Sequence, residues 1–414
     1  MSSLRDLLRI RDYRLLWTAQ ILSDFGDNLT FLTLLILIQR LTGSTVALAG
    51  LMVSIALPTL IFGTIAGVYV DRIDRKRAML LSDLLRAVVV LGFLFVRRVE
   101  LVPVIYVIGF VQAGIGTVFN PARTAFLPSV VGHERLLAAN SVSQTSRIVF
   151  NLLGTGTAGV LAAVSATLAP AFVLDSATFF VSFLLISRIR TCGAPRKEMQ
   201  SEIWAEMKQG FNVMISSRPL RAVLISLSVT MLGLGAVNVL FVPFLLEDLM
   251  VSEAFLGAIE ASQVAGLVIS GTLVAVLATK LRPSNLVSLG LIGVGLFVGS
   301  VSGAGAVWQV MVLLFFVGLF VGPVQAGANT LSQTLIEDSM RGRVGGALNT
   351  LVSAANVTSM GLAGVAAATI GTRNVFLASG TLVMLSGLLA LWLFRELRKR
   401  SQDTIEAEPV PTET

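Results

Sequence analysis

The sequence predicts an all-α membrane protein with twelve transmembrane helices in two pseudo-symmetric six-helix bundles. The first observation is composition: 55% of the residues are hydrophobic, mean hydropathy is +0.84 and only 13% are charged, against about 25% in an average soluble domain. The second is that apolar residues form continuous runs of about 20, the length that crosses a bilayer as a helix, without the alternation of a barrel strand. The third is a marked asymmetry of positive charge between successive connecting segments.

Hydropathy defines the elements in order along the chain. The predicted spans are 14–39, 45–70, 78–97, 101–121, 137–164, 168–187, 222–246, 254–279, 285–303, 306–335, 344–369 and 374–394. The longest polar interruption follows the sixth span and divides the chain into six plus six. The predicted organisation is an N-terminal bundle at 1–187, an inter-bundle loop at 188–221, a C-terminal bundle at 222–398 and a disordered cytoplasmic tail at 399–414. Within the loop, 202–211 is predicted to form a short amphipathic helix.

The placement of Lys and Arg predicts orientation. Of 31 such residues, 25 fall in segments that share one side, four fall on the other side and two fall within spans. Because basic connectors remain in the cytoplasm, we expect a multi-pass protein of the cell membrane with both termini cytoplasmic. The net charge of +7 then reflects topology, and no nucleic-acid partner is expected.

The connector after span two is the most highly charged short segment. Its signature consists of Gly67, Asp71, Arg72, Arg75, Lys76 and Arg77. The acid ends an apolar run, where an unpaired carboxylate is costly, so we interpret the segment as a charge-paired hinge between two helices. The corresponding connector of the second half, 275–283, keeps its basic residues but has Thr279 in place of the acid. Two related halves of this kind are typical of transporters.

With twelve spans and a six-plus-six division, this signature resembles that of the major facilitator superfamily of transporters, over residues 10–398. The stretches Tyr13–Ser44 and Asn120–Asn140 are similar to the macrolide-efflux and enterobactin-exporter branch, and Phe25–Asn28 also resembles bacterial lysophospholipid transporters. The resemblance implies two bundles around a central cavity that opens alternately to each side, usually with proton antiport in drug exporters. It also implies that Asp71 meets the N-terminus of span eleven when the cytoplasmic side is closed.

Asp24 and Asp27 are the leading candidates for chemistry. They lie three residues apart, on one face of span one and near its centre, where ionisable groups are expensive and functional by default. Two ionised carboxylates so close repel each other, so either one is a candidate proton carrier. The alternative is a static ion pair with Arg147 of span five, which could itself instead bind an anionic substrate.

Four further charged residues fall within spans. Asp175, near the middle of span six, is expected to pack inside the first bundle. Glu260 in span eight is either an acid at the cavity mouth or a snorkelling surface group. Asp83 and Arg86 in span three are expected to belong to the cytoplasmic charge cluster of the loop signature.

Neutral polar side chains within spans either line the cavity or bond across helices, and the sequence leaves both possibilities open. They include Gln112, Asn238, Gln263, Gln325, Asn329 and Asn356. The acids Glu247 and Glu253 at the outer end of the second half are expected to be solvated. The pattern Gly154-x-Gly156-x-x-Gly159 matches a dinucleotide fingerprint in letters only, and inside a span it indicates close helix packing.

The expected function is secondary transport: export of an amphipathic hydrophobic compound, such as a drug or siderophore, by alternating access with proton coupling. The expected partners are this substrate, protons and the lipid bilayer, with the chain acting as a monomer and with no cofactor or metal. No nucleophile motif, phosphate loop or Cys/His cluster is visible, so an enzyme is not expected. Two alternatives stay open: a lysophospholipid flippase of the same fold, and a non-transporting membrane sensor or assembly partner.

Overall fold

The structure, a computed structural model, describes residues 4–165, 167–192, 203–277, 280–336 and 340–407. Its α-helices are α1 Leu4–Arg9, α2 Arg11–Thr42, α3 Thr45–Arg72, α4 Arg75–Val90, α5 Val102–Val131, α6 Leu136–Val164, α7 Ala169–Ser187, α8 Ile203–Ser216, α9 Arg218–Pro243, α10 Leu256–Leu277, α11 Pro283–Ser300, α12 Val307–Leu335, α13 Arg341–Ile370 and α14 Thr372–Ala407. Short 3₁₀ turns lie at Leu91–Phe95, Val99–Leu101, His133–Arg135, Glu253–Phe255 and Val301–Gly303, and one π-helical turn lies at Phe244–Asp248.

Twelve helical segments in the described part of the chain are long and apolar enough to cross a membrane, which confirms the predicted number. Most of them are longer than predicted. Span one, predicted at 14–39, is Arg11–Thr42, and span four, predicted at 101–121, is a helix that runs to Val131. Helices continue beyond the apolar run because their polar ends still form backbone hydrogen bonds, and a hydropathy window does not detect this.

The loop and the tail contain more helix than a polar segment would indicate. Helix α8 confirms the predicted amphipathic helix after span six. Residues 399–407, assigned from the sequence to a disordered tail, are instead the end of α14. Glu, Leu, Arg, Lys and Gln, which follow the last apolar run, are strong helix formers, so the last span continues as a helix past its apolar part.

One compact unit, unit 1, comprises Met1–Gln200, Val239–Ala261 and Met360–Thr369. The last two segments belong to the second bundle in the predicted division. Within unit 1, α2 packs against α6 and α7, α3 packs against α5, and α4 packs against α5 and α7. A core of large side chains, including Tyr13, Phe119 and Phe126, fills the end near the N-terminus.

The other compact unit, unit 2, comprises Ser201–Asn238, Ser262–Ser359 and Ile370–Thr414. Within it, α11 packs closely along α14 and α12. The contact between α11 and α14 is made by glycines: a Cβ atom on Gly380 would lie 2.6 Å from the carbonyl oxygen of Gly295. Small residues let helix backbones approach each other in this way in membrane proteins.

We expect Gly380→Ala to lower the melting temperature of the purified protein. The added methyl group meets the backbone of α11, so the helices must separate, at a cost of about 1–3 kcal/mol. Gly271→Ala is the matched control, because a Cβ atom there meets nothing within 4 Å among the described residues. Equal melting temperatures for the two variants would contradict the close packing of α11 on α14.

Candidate functional site

The centre of unit 1 holds an ion pair between Asp27 of α2 and Arg86 of α4. The Arg86 guanidinium also lies over the ring of Phe179, 4.1 Å from its centroid. The Arg86 side chain is only 8% exposed, whereas that of Asp27 is 41% exposed. The partner of Asp27 is therefore Arg86 and not Arg147, which is exposed and forms no ion pair among the described residues.

Two more carboxylates lie within the same unit, each fully buried and each bonded to hydroxyl groups. Asp83 accepts a hydrogen bond from Ser182 Oγ at 2.5 Å. Asp175 accepts one from Thr30 Oγ1 at 2.5 Å. We call Asp27, Asp83, Arg86 and Asp175 the buried charge cluster: three acids and one base.

This cluster corrects the expectation that Asp83 and Arg86 belong to the cytoplasmic loop signature. Asp83 is eight residues into α4, a rise of about 12 Å, and its carboxylate faces α7 rather than the loop. The two residues lie three apart and so share one helix face. The hydrogen bond from Ser182 to Asp83 and the ion pair of Asp27 with Arg86 offset part of the cost of burying Asp83 and Arg86. Asp175 packs inside unit 1, as the sequence predicts.

Asp24 lies in a separate polar chain along α2. Gln20 Nε2 donates to Asp24 Oδ2 at 3.3 Å, and Arg123 Nη1 donates to Gln20 Oε1 at 2.8 Å. One turn further along, Asn28 Nδ2 donates to Asn151 Oδ1 at 2.8 Å. Arg123 is not among the site residues predicted from the sequence, because the predicted span four ends at residue 121. The i, i+4 spacing of Gln20 and Asp24 is the feature of the sequence that could have indicated this row of polar contacts along α2.

A cavity of about 240 Å³ lies beside the ion pair, between α2, α3, α4 and α5. Its polar wall includes Asp27, Arg86 and Gln112, and its apolar wall includes Phe31, Ile55 and Phe93. Gln112 is 8% exposed, and neither polar atom of its amide has a hydrogen-bond partner among the described residues. Of the six neutral candidates, Gln112 is therefore the one that the structure places beside the buried charge cluster.

The other neutral candidates lie in unit 2. Gln263 and Asn356 are half-buried, while Asn238, Gln325 and Asn329 are exposed. Glu260 lies in unit 1 instead and is half-buried.

The loop signature is described in part. The side chains of 64–72, which include Gly67, Asp71 and Arg72, lie outside the described residues, as do those of 341–343 at the start of α13. Asp74 caps α4, since its Oδ1 accepts from the backbone N–H of Arg77 at 3.1 Å.

The segment after α7 is anchored at two points. Lys76 Nζ donates to the carbonyl oxygens of Ser187 and Ile189, at 3.2 and 2.6 Å. Asp12 Oδ2 accepts from the backbone N–H groups of Arg190 and Thr191 at 3.1 and 2.9 Å. The loop signature and the start of α2 therefore hold residues 187–191 in place.

A second polar cluster lies where α2 ends. Arg40 Nε donates to Glu253 Oε1 at 2.9 Å, and Arg40 Nη2 donates to Glu253 Oε2 and to the carbonyl oxygen of Ala162, the latter at 2.6 Å. Gln39 donates to Glu247. We call Gln39, Arg40, Glu247 and Glu253 the outer contact. Glu247 is exposed, in agreement with the sequence prediction, whereas Glu253 is half-buried. Both acids nevertheless contact the end of α2, because segment 239–261 packs within unit 1.

Comparison with known proteins gives the family. A family model described as a transmembrane secretion effector matches residues 2–413. The chain is 30% identical over 375 residues to the multidrug efflux pump Tap of Mycolicibacterium fortuitum, covering 86% of this chain and 88% of that protein. It is 25% identical over 392 residues to macrolide efflux protein A of Streptococcus pyogenes, covering 93% and 96%.

Solved structures agree with the fold. A bacterial homologue of the iron transporter ferroportin has a TM-score of 0.75 at 16% identity, covering 95% of this chain and 99% of that chain. The nucleoside transporter NupG has a TM-score of 0.71 at 11% identity, covering 92% and 98%. The chain therefore belongs to the transmembrane secretion effector family of the major facilitator superfamily, and it is a multi-pass membrane transporter rather than an enzyme.

Proposed function

We propose that this protein is a proton-coupled exporter of amphipathic, hydrophobic compounds in the cell membrane, acting as a monomer with both termini in the cytoplasm. The observation that carries the proposal is the Asp27–Arg86 ion pair beside the cavity of unit 1. Ionisable side chains within a membrane span are costly and mark transport or proton pathways.

Asp27 is the proposed proton carrier. Its carboxylate borders the cavity, while Arg86 is held by the ring of Phe179. A proton on Asp27 removes the negative charge that Arg86 pairs with. Protonation therefore changes the net charge of the buried charge cluster by one unit. Asp83 and Asp175, the other two acids of the cluster, are each already bonded to a hydroxyl group.

Two observations support the substrate class. The apolar lining residues Phe31, Ile55 and Phe93 suit a hydrophobic surface, and the polar lining residues suit a compound with hydrogen-bonding groups. The printed names of the relatives Tap and macrolide efflux protein A describe efflux pumps. Exchange of access is assigned to the loop signature on the cytoplasmic side.

The proposal is tested by flux into inside-out membrane vesicles that contain the protein. The probes are a radiolabelled macrolide, a hydrophobic cationic dye and a lysophospholipid, each measured with and without a proton gradient that is acid inside the vesicle. We expect uptake of the macrolide or the dye to fall at least tenfold when an ionophore collapses the gradient.

The remaining outcomes separate the alternatives. Lysophospholipid movement that persists at an undiminished rate without the gradient would replace the proposal with a flippase. Absence of flux for every probe, with the protein folded and present at normal amounts, would favour the sensor or assembly partner. The matched control is vesicles from cells that lack the protein.

A further inference from the structure

The cavity of unit 1 is bordered by two side chains whose hydrogen-bonding capacity is not used. Both polar atoms of the Gln112 amide and the Nε atom of Arg86 are buried and have no hydrogen-bond partner among the described residues. Both residues line the cavity. Buried polar atoms without a partner are unfavourable, and native proteins retain few of them. These three atoms therefore indicate that the cavity takes a polar group that pairs with them.

The packing on α5 places these two side chains beside each other. A Cβ atom on Gly116 would lie 3.7 Å from Arg86 Nε, so the guanidinium lies against α5 at this residue. Gln112 is one helical turn before Gly116, on the same face of α5. Gly109 and Ala113 also line the cavity, and their small size leaves room beside the amide. The terminal torsion of a Gln side chain is soft, so the amide can turn toward a bound group at little cost.

The other polar residues that line the cavity are already engaged. Thr30 and Asn28 each donate a hydrogen bond to another residue of unit 1. Asp27 and Arg86 are the two charged residues among those that line the cavity, and they pair with each other. The described lining therefore carries no net charge and suits a neutral group. The capacity that remains is that of the Gln112 amide and the Arg86 Nε–H.

We propose that this cavity binds a neutral, planar group with a carbonyl and an N–H side by side, as in a lactam or a carboxamide, and that Gln112 selects it. The Gln112 N–H donates to the ligand carbonyl, and the Gln112 carbonyl accepts from the ligand N–H. The Arg86 Nε–H is a second donor to the ligand carbonyl. The rings of Phe31 and Phe93, which also line the cavity, suit a flat apolar body.

The size of the cavity limits what enters it. Its volume of about 240 Å³ is below the roughly 300–1,000 Å³ of most ligand sites, so it accommodates a bicyclic ring or one end group of a larger compound. The inference rests on the proposed function, because it takes this cavity as the substrate site and adds the chemistry that the site selects. Binding is measured on the purified protein and needs no flux, so the two proposals can fail separately.

The test compares two ring compounds that differ by one methyl group. 2-Quinolone carries a lactam N–H beside its carbonyl, and N-methyl-2-quinolone has a methyl group in place of that hydrogen. Equilibrium dialysis gives the dissociation constant of each compound for the purified full-length protein. We expect 2-quinolone to bind at least about tenfold more tightly, because the methylated compound leaves the Gln112 carbonyl without a partner.

Gln112→Met separates ligand selection from a role in the fold. Methionine has a similar length but no amide, so this variant is expected to bind both compounds with the same affinity. It also removes two unpartnered polar atoms, so without ligand its melting temperature should equal or exceed that of the parent. A lower melting temperature would indicate that Gln112 supports the fold, and would count against the proposal. Gln144→Met is the matched control, since Gln144 is exposed on α6 and lies outside the cavity lining. It should keep the tenfold preference.

Ala113→Leu tests the location. The larger side chain enters the cavity beside Gln112, so binding of 2-quinolone is expected to weaken at least about tenfold, since a packed site does not accept the extra volume. If Gln112→Met fails to fold, Gln112→Leu is held to the same expectation as Gln112→Met.

Four results would overturn the proposal: equal affinity of the parent for the two compounds, no binding of either at about 1 mM, a tenfold preference that survives in Gln112→Met, or unchanged binding in Ala113→Leu. A cavity that holds water alone would give the first or the second of these results. A protein that showed the preference for 2-quinolone but moved none of the transport probes would contradict the proposed function and support this inference.

Discussion

Replacement of Asp27 by asparagine is expected to abolish gradient-driven export, to the level of vesicles without the protein. Asparagine keeps the shape of the side chain but cannot bind and release a proton, and it leaves Arg86 without the charge that it pairs with. The measurement is uptake of the macrolide or dye probe into inside-out vesicles under an imposed proton gradient, with the amount of protein matched by immunoblot.

The controls for this prediction separate proton chemistry from loss of an acidic group. Asp27→Glu keeps a titratable carboxylate and is expected to retain part of the export. Asp248→Asn removes an exposed acid and is expected to leave export unchanged. Full export by Asp27→Asn under the same gradient would contradict the assignment of Asp27 as proton carrier.

Replacement of Arg86 by glutamine is expected to destabilise the protein more than any other single change in the buried charge cluster. It leaves the Asp27 carboxylate without the cation that it pairs with. Breaking a buried ion pair by removing one partner costs about 3–5 kcal/mol, and we expect a smaller loss here because the Asp27 side chain is 41% exposed. The contact with the ring of Phe179 is lost as well, which adds about 0.5–2 kcal/mol. The melting temperature of the purified protein measures the effect.

A double-mutant comparison isolates the pair itself. Asp27→Asn in the Arg86→Gln background is expected to recover part of the stability, because it removes the carboxylate that has lost its partner. Arg147→Gln is the matched control, since Arg147 is exposed and a surface substitution usually changes stability by no more than about 0.5 kcal/mol. If Arg86→Gln melted at the same temperature as Arg147→Gln, the ion pair would contribute nothing.

The number and approximate position of the spans follow from hydropathy because the bilayer excludes unsatisfied backbone, so a crossing segment must be a continuous apolar helix. Hydropathy does not predict in the same way which residues form the buried charge cluster. Arg86 and Arg147 both lie in spans, and the sequence analysis considers only Arg147 as an ion-pair partner for Asp24 or Asp27, because all three lie near mid-depth. Which one meets Asp27 depends on the rotation of α4 about its axis, which hydropathy does not determine.

The contacts of Glu247 and Glu253 could not be predicted from the sequence for a different reason. Glu247 and Glu253 follow an apolar span in a polar segment, and in sequence terms such residues are solvated. Their partners, Gln39 and Arg40, lie more than 200 residues earlier. Only the packing of segment 239–261 within unit 1 brings them together. A single sequence contains no local pattern for a contact of this range.

The anchored stretch at 187–191 has a practical consequence for spectroscopy. Lys76 and Asp12 hold this stretch in place, and the next residue is Cys192, the single cysteine of the chain, which is exposed. A fluorophore attached to the native sequence therefore has one defined and sterically open position, with a fixed base. One added cysteine then completes a donor–acceptor pair, so single-molecule distance measurements need only one substitution.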